Sequence, residues 1–578
     1  MFRQHNRKVR RATAREKSEA ARTWDRRTKA ALGLGSVLCI LVFLNWFCAA
    51  VVLSDGRSAT TNSAPYYSDI EALQQQLAQG RLSVRQLTKE FIERIHTLDQ
   101  AGPAIHSVIE LNPDAVAIAA RLDSKPVHGS LYGIPILIKD NIDTGDRMLT
   151  SVGSLALTEP AQQDAELVAR LRGADVVILG KTNPSEWVNF RSSHGISGWS
   201  ARGGQTHNPY VLDRTPCSSS AGSAAAVAAG FAVAAIGTET DGSILCPASM
   251  NGIVGIKPTL GLVSRAGLVP LSPSQDTAGP IARSVADAVT VLSAIAGSDP
   301  RDPATAEAHQ HATNYRNFLQ IDGLKGKRIG IVRQLAGRDP NADRALEEAI
   351  ALMKQQGAVI VDPVELPHLN ELSALEGAVL KYEFKQAING YLADHPKLKV
   401  KNLADVIAFN QREASREMPW FGQDLLEQAQ AAGPLTDQVY IEAQAKAKRL
   451  SGAEGIDAAM SAHHLDALLA PTWGPAFVID PVLGDPAIRD PSQPAAMAGY
   501  PSITVPTGFA HGLPVGIILF GAKWSEPTLI SIAYGFEQHA HPWQPPRFLD
   551  TVGGKPVTAM GMGMHSEKSL SHESQVDK

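Results

Sequence analysis

The sequence predicts an α/β fold, a β-sheet covered by helices on both faces. Two observations predict it. Short apolar runs, rich in β-branched residues and bounded by glycine or charge, recur at 133–138, 176–179, 233–236 and 329–332, as strands buried on both faces require. Alanine-rich helical stretches at 161–172, 223–230 and 285–296 alternate with them.

In chain order, residues 1–29 carry eleven Lys or Arg against three acids, and 30–53 contain no charge. A stretch of that length can span a bilayer as a helix. Its basic flank predicts a cytoplasmic N-terminus and a membrane-anchored catalytic body on the periplasmic or extracellular side. The rival reading is a cleaved export signal, with Arg26-Arg27 as a twin-arginine hint and Cys48-Ala-Ala50 as a small-residue cleavage site. Residues 54–65 form a polar linker, and folded sequence begins near Tyr66. Ile70, Leu73 and Leu77, then Leu87, Phe91, Ile92 and Ile95, fall at helical spacing and predict one or two amphipathic helices. Residues 113–122 read as another.

The span from about 300 to 465 differs, being longer, more charged and mostly helical, with proline-rich or glycine-rich joints, which marks an insertion or lid rather than core. Sheet-like segments return at 466–471, 502–506 and 515–519, and a helix at 528–539 closes the body. Residues 551–578 lack an apolar period and predict a disordered tail. With 578 residues and a net charge of -4, the chain has ample length for a large core, and its body carries no nucleic-acid footprint. Four cysteines, at 39, 48, 217 and 246, are too few for a disulfide framework, and no Cys-x-x-Cys or His-x-x-x-His spacing suggests a metal.

Lys139 closes the apolar run Gly133-Ile-Pro-Ile-Leu-Ile-Lys139. A charged amine there faces a large desolvation cost, so it must reach solvent, find a counterion, or give up its proton and become a base. Downstream lie two serine loops, Pro216-Cys-Ser-Ser-Ser-Ala-Gly-Ser223 and Gly237-Thr-Glu-Thr-Asp-Gly-Ser-Ile-Leu-Cys-Pro247. Each feature alone has a structural reading: the serines as helix caps, the Asp-Gly pair as a turn, the lysine as a solvated strand end. Together, in this order and with a Gly-Ser-rich turn between strand and helix each time, they point to nucleophilic catalysis.

These segments, with Gly180-Lys-Thr-Asn183, Gly255-Ile-Lys-Pro-Thr-Leu-Gly261 and Ala498-Gly-Tyr-Pro-Ser-Ile-Thr-Val-Pro506, resemble the amidase signature family over roughly residues 70–548. The resemblance implies a single large domain, about 66–550, with a mixed β-sheet core flanked by helices. It makes Lys139 the base, Ser219 the bridging serine held through a cis peptide bond, and Ser243 the nucleophile. Counting back 24 residues from Ser243 selects Ser219 among the three adjacent serines. Ser220 then supports the network, and Ser218 stands where the family more often has glycine.

The chemistry is coherent on its own terms. A serine hydroxyl is a poor nucleophile at neutral pH, and neutral Lys139 can take its proton through Ser219 and return it to the leaving nitrogen. The turn Thr240-Asp241-Gly242-Ser243 offers backbone N–H groups to the oxyanion, with Gly242 permitting close approach. Water completes the cycle by the same route, so no cofactor is expected.

For substrate, 238–248, 270–280 and 381–391 look more like peptide-amidase-type members, which implies a small amide or an amidated peptide as partner. Many relatives place Arg two residues after the nucleophile, where this chain has Leu245. Trp187, Phe190 and Tyr382 are candidates for an apolar pocket, although aromatics at such spacing are more often core. Two other readings stand beside amide hydrolysis: the amidotransferase component of a tRNA-dependent ligase, against which the membrane segment counts, and a catalytically silent binding protein, against which the intact Lys139, Ser219 and Ser243 count.

Overall fold

The structure, a computed structural model, describes residues 65–486 and 490–557. The expectations for the basic region 1–29, the segment 30–53, the linker up to residue 64 and the tail from 558 fall outside them. Among the described residues no helix is long and apolar enough to cross a membrane. From Pro65 onward they belong to one compact unit.

Its centre is a mixed sheet of eleven strands. They are β1 (Val108–Leu111), β2 (Pro135–Lys139), β3 (Val177–Thr182), β4 (Ala234–Glu239), β5 (Val254–Lys257), β6 (Thr277–Ala282), β7 (Arg328–Ile331), β8 (Val359–Val361), β9 (Ala467–Pro471), β10 (Ser502–Ala510) and β11 (Leu513–Phe520). The spatial order is β1-β3-β2-β4-β6-β5-β10-β11-β9-β7-β8. β2 runs parallel to both β3 and β4, and Ile138 pairs with Lys181 on one side and Ile236 on the other. All five residues of β2 are buried, the physical reason its sequence is continuously apolar rather than alternating.

The apolar runs read from sequence all become strands, their starts displaced by a residue or two and the ends of β3 and β4 by three. β6 has no such signal because it contains Gly279 and Pro280, which depress strand propensity. Yet β6 is central, and Gly279 is required there: a Cβ on it would collide with the Ile256 carbonyl oxygen of the neighbouring strand. The opening helices, Ile70–Ala78 and Val84–Arg94, are N-capped by Asp69 and Ser83 and bury Ile70, Leu73, Leu77, Leu87 and Phe91, the stripe that helical spacing predicts.

The 300–465 span is not wholly helical, since β7, the helix Pro340–Gln355 and β8 lengthen the sheet at one edge as a parallel β-α-β unit. The helical stretch proper begins at Leu369 and ends with Asp457–His463. Polar and apolar contacts both dock it on the core. Tyr391 donates to Asp143 Oδ1 at 2.8 Å and His395 Nε2 lies 3.2 Å from Asp143 Oδ2. Glu417 Oε1 accepts from Ser154 Oγ at 3.1 Å and from the Leu155 N–H at 2.7 Å. Around them Trp187, Phe190, Leu271, Phe384, Ile388 and Leu403 share one buried cluster.

One covalent bond joins the two serine loops: Cys217 and Cys246 form a disulfide across 29 residues of chain. The cysteine count suggests no framework, and none exists among the described residues. A single staple sits instead beside Ser218-Ser219 and just after Ser243, a pairing that sequence distance conceals.

Two outcomes follow. Burial pushes the His395 imidazole down, but the Asp143 hydrogen bond, the Tyr391 carbonyl and the Asp143 and Asp394 charges outweigh it and raise its pKa above 6.5. Its contribution to docking is therefore complete below pH 6.5 and is lost as pH rises through the raised folded value. His395→Gln should destabilise the protein by about 1 kcal/mol at acidic pH and by less at alkaline pH in urea unfolding. Replacing both Cys217 and Cys246 by Ala should cost about 3 kcal/mol for a loop of that size, read as a lower denaturation midpoint. An unchanged midpoint would show that the bond constrains nothing.

Candidate active site

Strand ends converge on the site. Lys139 is the last residue of β2, and β4 beside it runs into the turn 240–243, so both deliver their side chains at the carboxyl edge of the parallel strands, where α/β sheets bind ligands. The loop 216–220 enters the same space ahead of the helix Ala221–Ala228.

Lys139 is completely buried. Its Nζ lies 2.7 Å from Ser219 Oγ, 3.2 Å from the Thr238 carbonyl oxygen and 3.0 Å from Thr238 Oγ1, with no carboxylate among these partners. A neutral amine has two N–H donors for Thr238 and one lone pair for the Ser219 hydroxyl, which matches that set. Burial holds its pKa well below 10.5, against the opposing charges of Glu239 and Asp276. Ser219 is 1% exposed and follows a cis Ser218-Ser219 peptide bond.

Ser243 is partly exposed within otherwise buried surroundings. Its carbonyl accepts the Ser220 N–H at 3.1 Å, fastening the Ser243 loop to the loop that carries Ser219. The Glu239 carboxylate caps the next helix, taking the N–H groups of Ile244 at 2.7 Å and Leu245 at 3.0 Å. Burial raises the Glu239 pKa, while Lys257, those bonds and the Gly242 N–H lower it. Gly242 is thus turned toward Glu239, and the N–H groups of Asp241 and Ser243 have no partner among the described residues. These two are the donors the turn leaves for a ligand oxygen. Gly242 has φ +72°, and a Cβ there would lie 2.7 Å from Asp490 Oδ2 and 3.0 Å from the Trp473 ring, so the turn tolerates only glycine.

The other expected residues sort differently. Thr240 Oγ1 donates to Asp276 Oδ1 at 2.6 Å, and burial lifts Asp276 to about 6 despite that bond. Ser220, expected to support the network, is fully buried, and its hydroxyl bonds the Thr238 carbonyl at 3.0 Å, bracing β4. Asp241 faces Ser492, Asp490 and Glu376, and burial raises its pKa well above 3.8. Leu245 is fully buried in the core, and its apolar side chain suits that place.

The expected aromatic pocket does not form. Trp187 and Phe190 are 1% and 7% exposed and pack on Phe384, whereas Tyr382 stacks on Tyr440 away from them. A cavity of about 230 Å³ lies elsewhere, lined by Trp473, Phe477, Leu335, Met250, Pro486 and Pro491 together with the charged Arg338, Asp339 and Asp343, and a far smaller one touches Thr238 and Thr240. Sequence reasoning also missed Thr238, Asp490, Ser492 and Glu376. Thr238 lies inside the quoted motif, but the others come from distant segments with no local signature.

The amidase family model matches residues 86–530. A probable amidase of Arabidopsis thaliana is 39% identical over 522 residues, covering 86% of this chain and 96% of that protein. The crystal structure of the native peptide amidase from Stenotrophomonas maltophilia is 49% identical with a TM-score of 0.80, over 84% of this chain and 99% of that one. A glutamyl-tRNA(Gln) amidotransferase subunit from Desulforamulus reducens is 34% identical, over 81% and 96%. With the matched fold and more than two-thirds of the chain covered, the protein belongs to the amidase signature family and is a hydrolase acting on amides.

Proposed function

We propose that the protein hydrolyses the terminal carboxamide of amidated peptides or amino acids, through an acyl-enzyme on Ser243. The observation that carries this reading is the buried Lys139 Nζ 2.7 Å from Ser219 Oγ, in a loop fastened to Ser243. Lys139, neutral, takes the Ser219 proton as Ser219 takes that of Ser243. The Ser243 oxygen attacks the amide carbon, and the oxyanion settles on the N–H groups of Asp241 and Ser243. The proton returns through Ser219 to the leaving nitrogen, and water then repeats the sequence on the ester. The likeness to peptide amidase at 49–51% identity supports the peptide-amide substrate over the amidotransferase reading, whose relatives stand at 32–34%.

For location, we propose export with the segment 30–53 as a retained anchor and the domain on the far side. The basic flank supports it, and a disulfide between the serine loops suits an oxidising compartment. Alkaline phosphatase fused after Ser54 should be active and green fluorescent protein dark; the reverse pattern overturns the placement.

The mechanism makes its own predictions. Ser243→Ala should abolish ammonia release from peptide amides by the purified chain, assayed with neither tRNA nor any partner protein, and undiminished release would sink the assignment. Because Lys139 works as the free amine, kcat should rise with pH through its depressed pKa and then level. Lys139→Ala should lower kcat roughly 10²–10⁴-fold and flatten that rise. A pH profile unchanged by the substitution contradicts its role as base.

A further inference from the structure

Above the oxyanion turn sits a group that the hydrolytic relay does not use. Ser492 Oγ lies 2.5 Å from Asp241 Oδ1 and also bonds Asp490 Oδ1, which takes the Ser492 N–H at 3.0 Å as well. A hydroxyl has one proton and cannot donate to both carboxyls, so one of the two carries a proton of its own. Behind them Glu376 takes Gln275 Nε2 at 2.7 Å on one oxygen and Gln493 Nε2 at 2.7 Å on the other, and a hydrogen bond also joins it to Asp241. Asp490 Oδ2 is different. It has no hydrogen-bond partner among the described residues and lies within 2.7 Å of where a Gly242 side chain would begin.

A free carboxyl oxygen in so enclosed a place calls for an N–H donor. Burial, first, lifts Asp490 to about 7, and Glu239 and Glu376 add to it against the Ser492 bonds. Trp473 touches the same Gly242 position and forms a wall of the 230 Å³ cavity. Oxyanion donors and a carboxyl oxygen therefore meet at one residue of backbone, beside the Trp473 wall of a cavity of mixed lining that also carries Arg338, Asp339 and Asp343. An α-amino acid amide presents their complements on adjacent atoms, a carbonyl, a side chain and an N–H.

Resting on the reading that Ser243 attacks the amide, we infer that Asp490 is a specificity residue, whose Oδ2 accepts the α-N–H of the residue bearing the scissile carboxamide while the side chain enters the Trp473 cavity. The substrates are then amides of α-amino acids and peptides, and simple aliphatic or aryl amides are poor ones. The carboxyl rim also disfavours the carboxylate product, which assists its release.

The test compares N-acetylphenylalaninamide with its depsi analogue, in which oxygen replaces the α-N–H. Wild type should favour the N–H compound at least tenfold in kcat/KM, in line with a hydrogen bond to a charged acceptor. In Asp490→Ala that preference should fall to about twofold, with the N–H compound bearing most of the loss. Equal losses on both compounds, or a preference kept in the variant, overturn the inference, as does a wild type indifferent to the exchange. Calorimetric titration of the same pair into Ser243→Ala protein reads the preference as binding. A preference there without turnover in wild type means that the hydrolytic reading fails while Asp490 still recognises the N–H; no preference there overturns the inference itself.

Discussion

The structure around the site depends on the burial of one amine. A lysine closing a strand that is covered on both faces cannot keep its charge without a counterion, and none stands among the contacts of Lys139 Nζ. Two donors to Thr238 and a lone pair toward Ser219 satisfy the neutral form. That solution requires β4 alongside β2 in register, so that Thr238 lies within reach, and it requires the 216–220 loop to fold back over both. The disulfide and the Ser220 to Ser243 backbone bond hold that loop where the amine needs it.

The turn after β4 meets a second constraint, since it must offer N–H groups outward while a carboxyl-rich neighbourhood crowds it. Glu239 resolves part of this by facing inward, where it caps the helix Leu245–Met250 and turns the Gly242 N–H away from the cleft. Ser492, set between Asp241 and Asp490, eases the rest, since its one hydroxyl proton can serve only one of them and the other carboxyl must bring its own. The rim is less negative than its carboxyl count suggests, which matters because full charge there would oppose an oxyanion on the same turn.

The helical region contributes position more than chemistry. Its docking residues, Tyr391, His395 and Glu417, grip Asp143, the Ser154 hydroxyl and the Leu155 N–H, in chain just beyond the strand that carries Lys139. Glu376 alone reaches the carboxyl cluster. The pocket candidates Trp187 and Phe190 fill the seam between this region and the core.

Much is legible in the sequence because it is written locally. Apolar continuity marks β2, β3, β4 and β7, helical spacing marks the opening pair, and Lys139, Ser219 and Ser243 each sit in a motif whose order and spacing single them out. What stays hidden is either locally anomalous, as with the Gly-Pro strand β6, or assembled from distant segments. Thr238 acquires meaning only from strand pairing, the Cys217–Cys246 bond only from the fold-back of a loop, and Asp490 only from the turn it overlies. Sequence by itself determined the fold class and the family and singled out Lys139, Ser219 and Ser243, since backbone conformation and burial pattern leave short-range periods. Tertiary structure alone decided which donors remain free, which carboxyls crowd one serine and where the Trp473 cavity lies, because hydrogen-bond satisfaction and excluded volume depend on neighbours far apart in the chain.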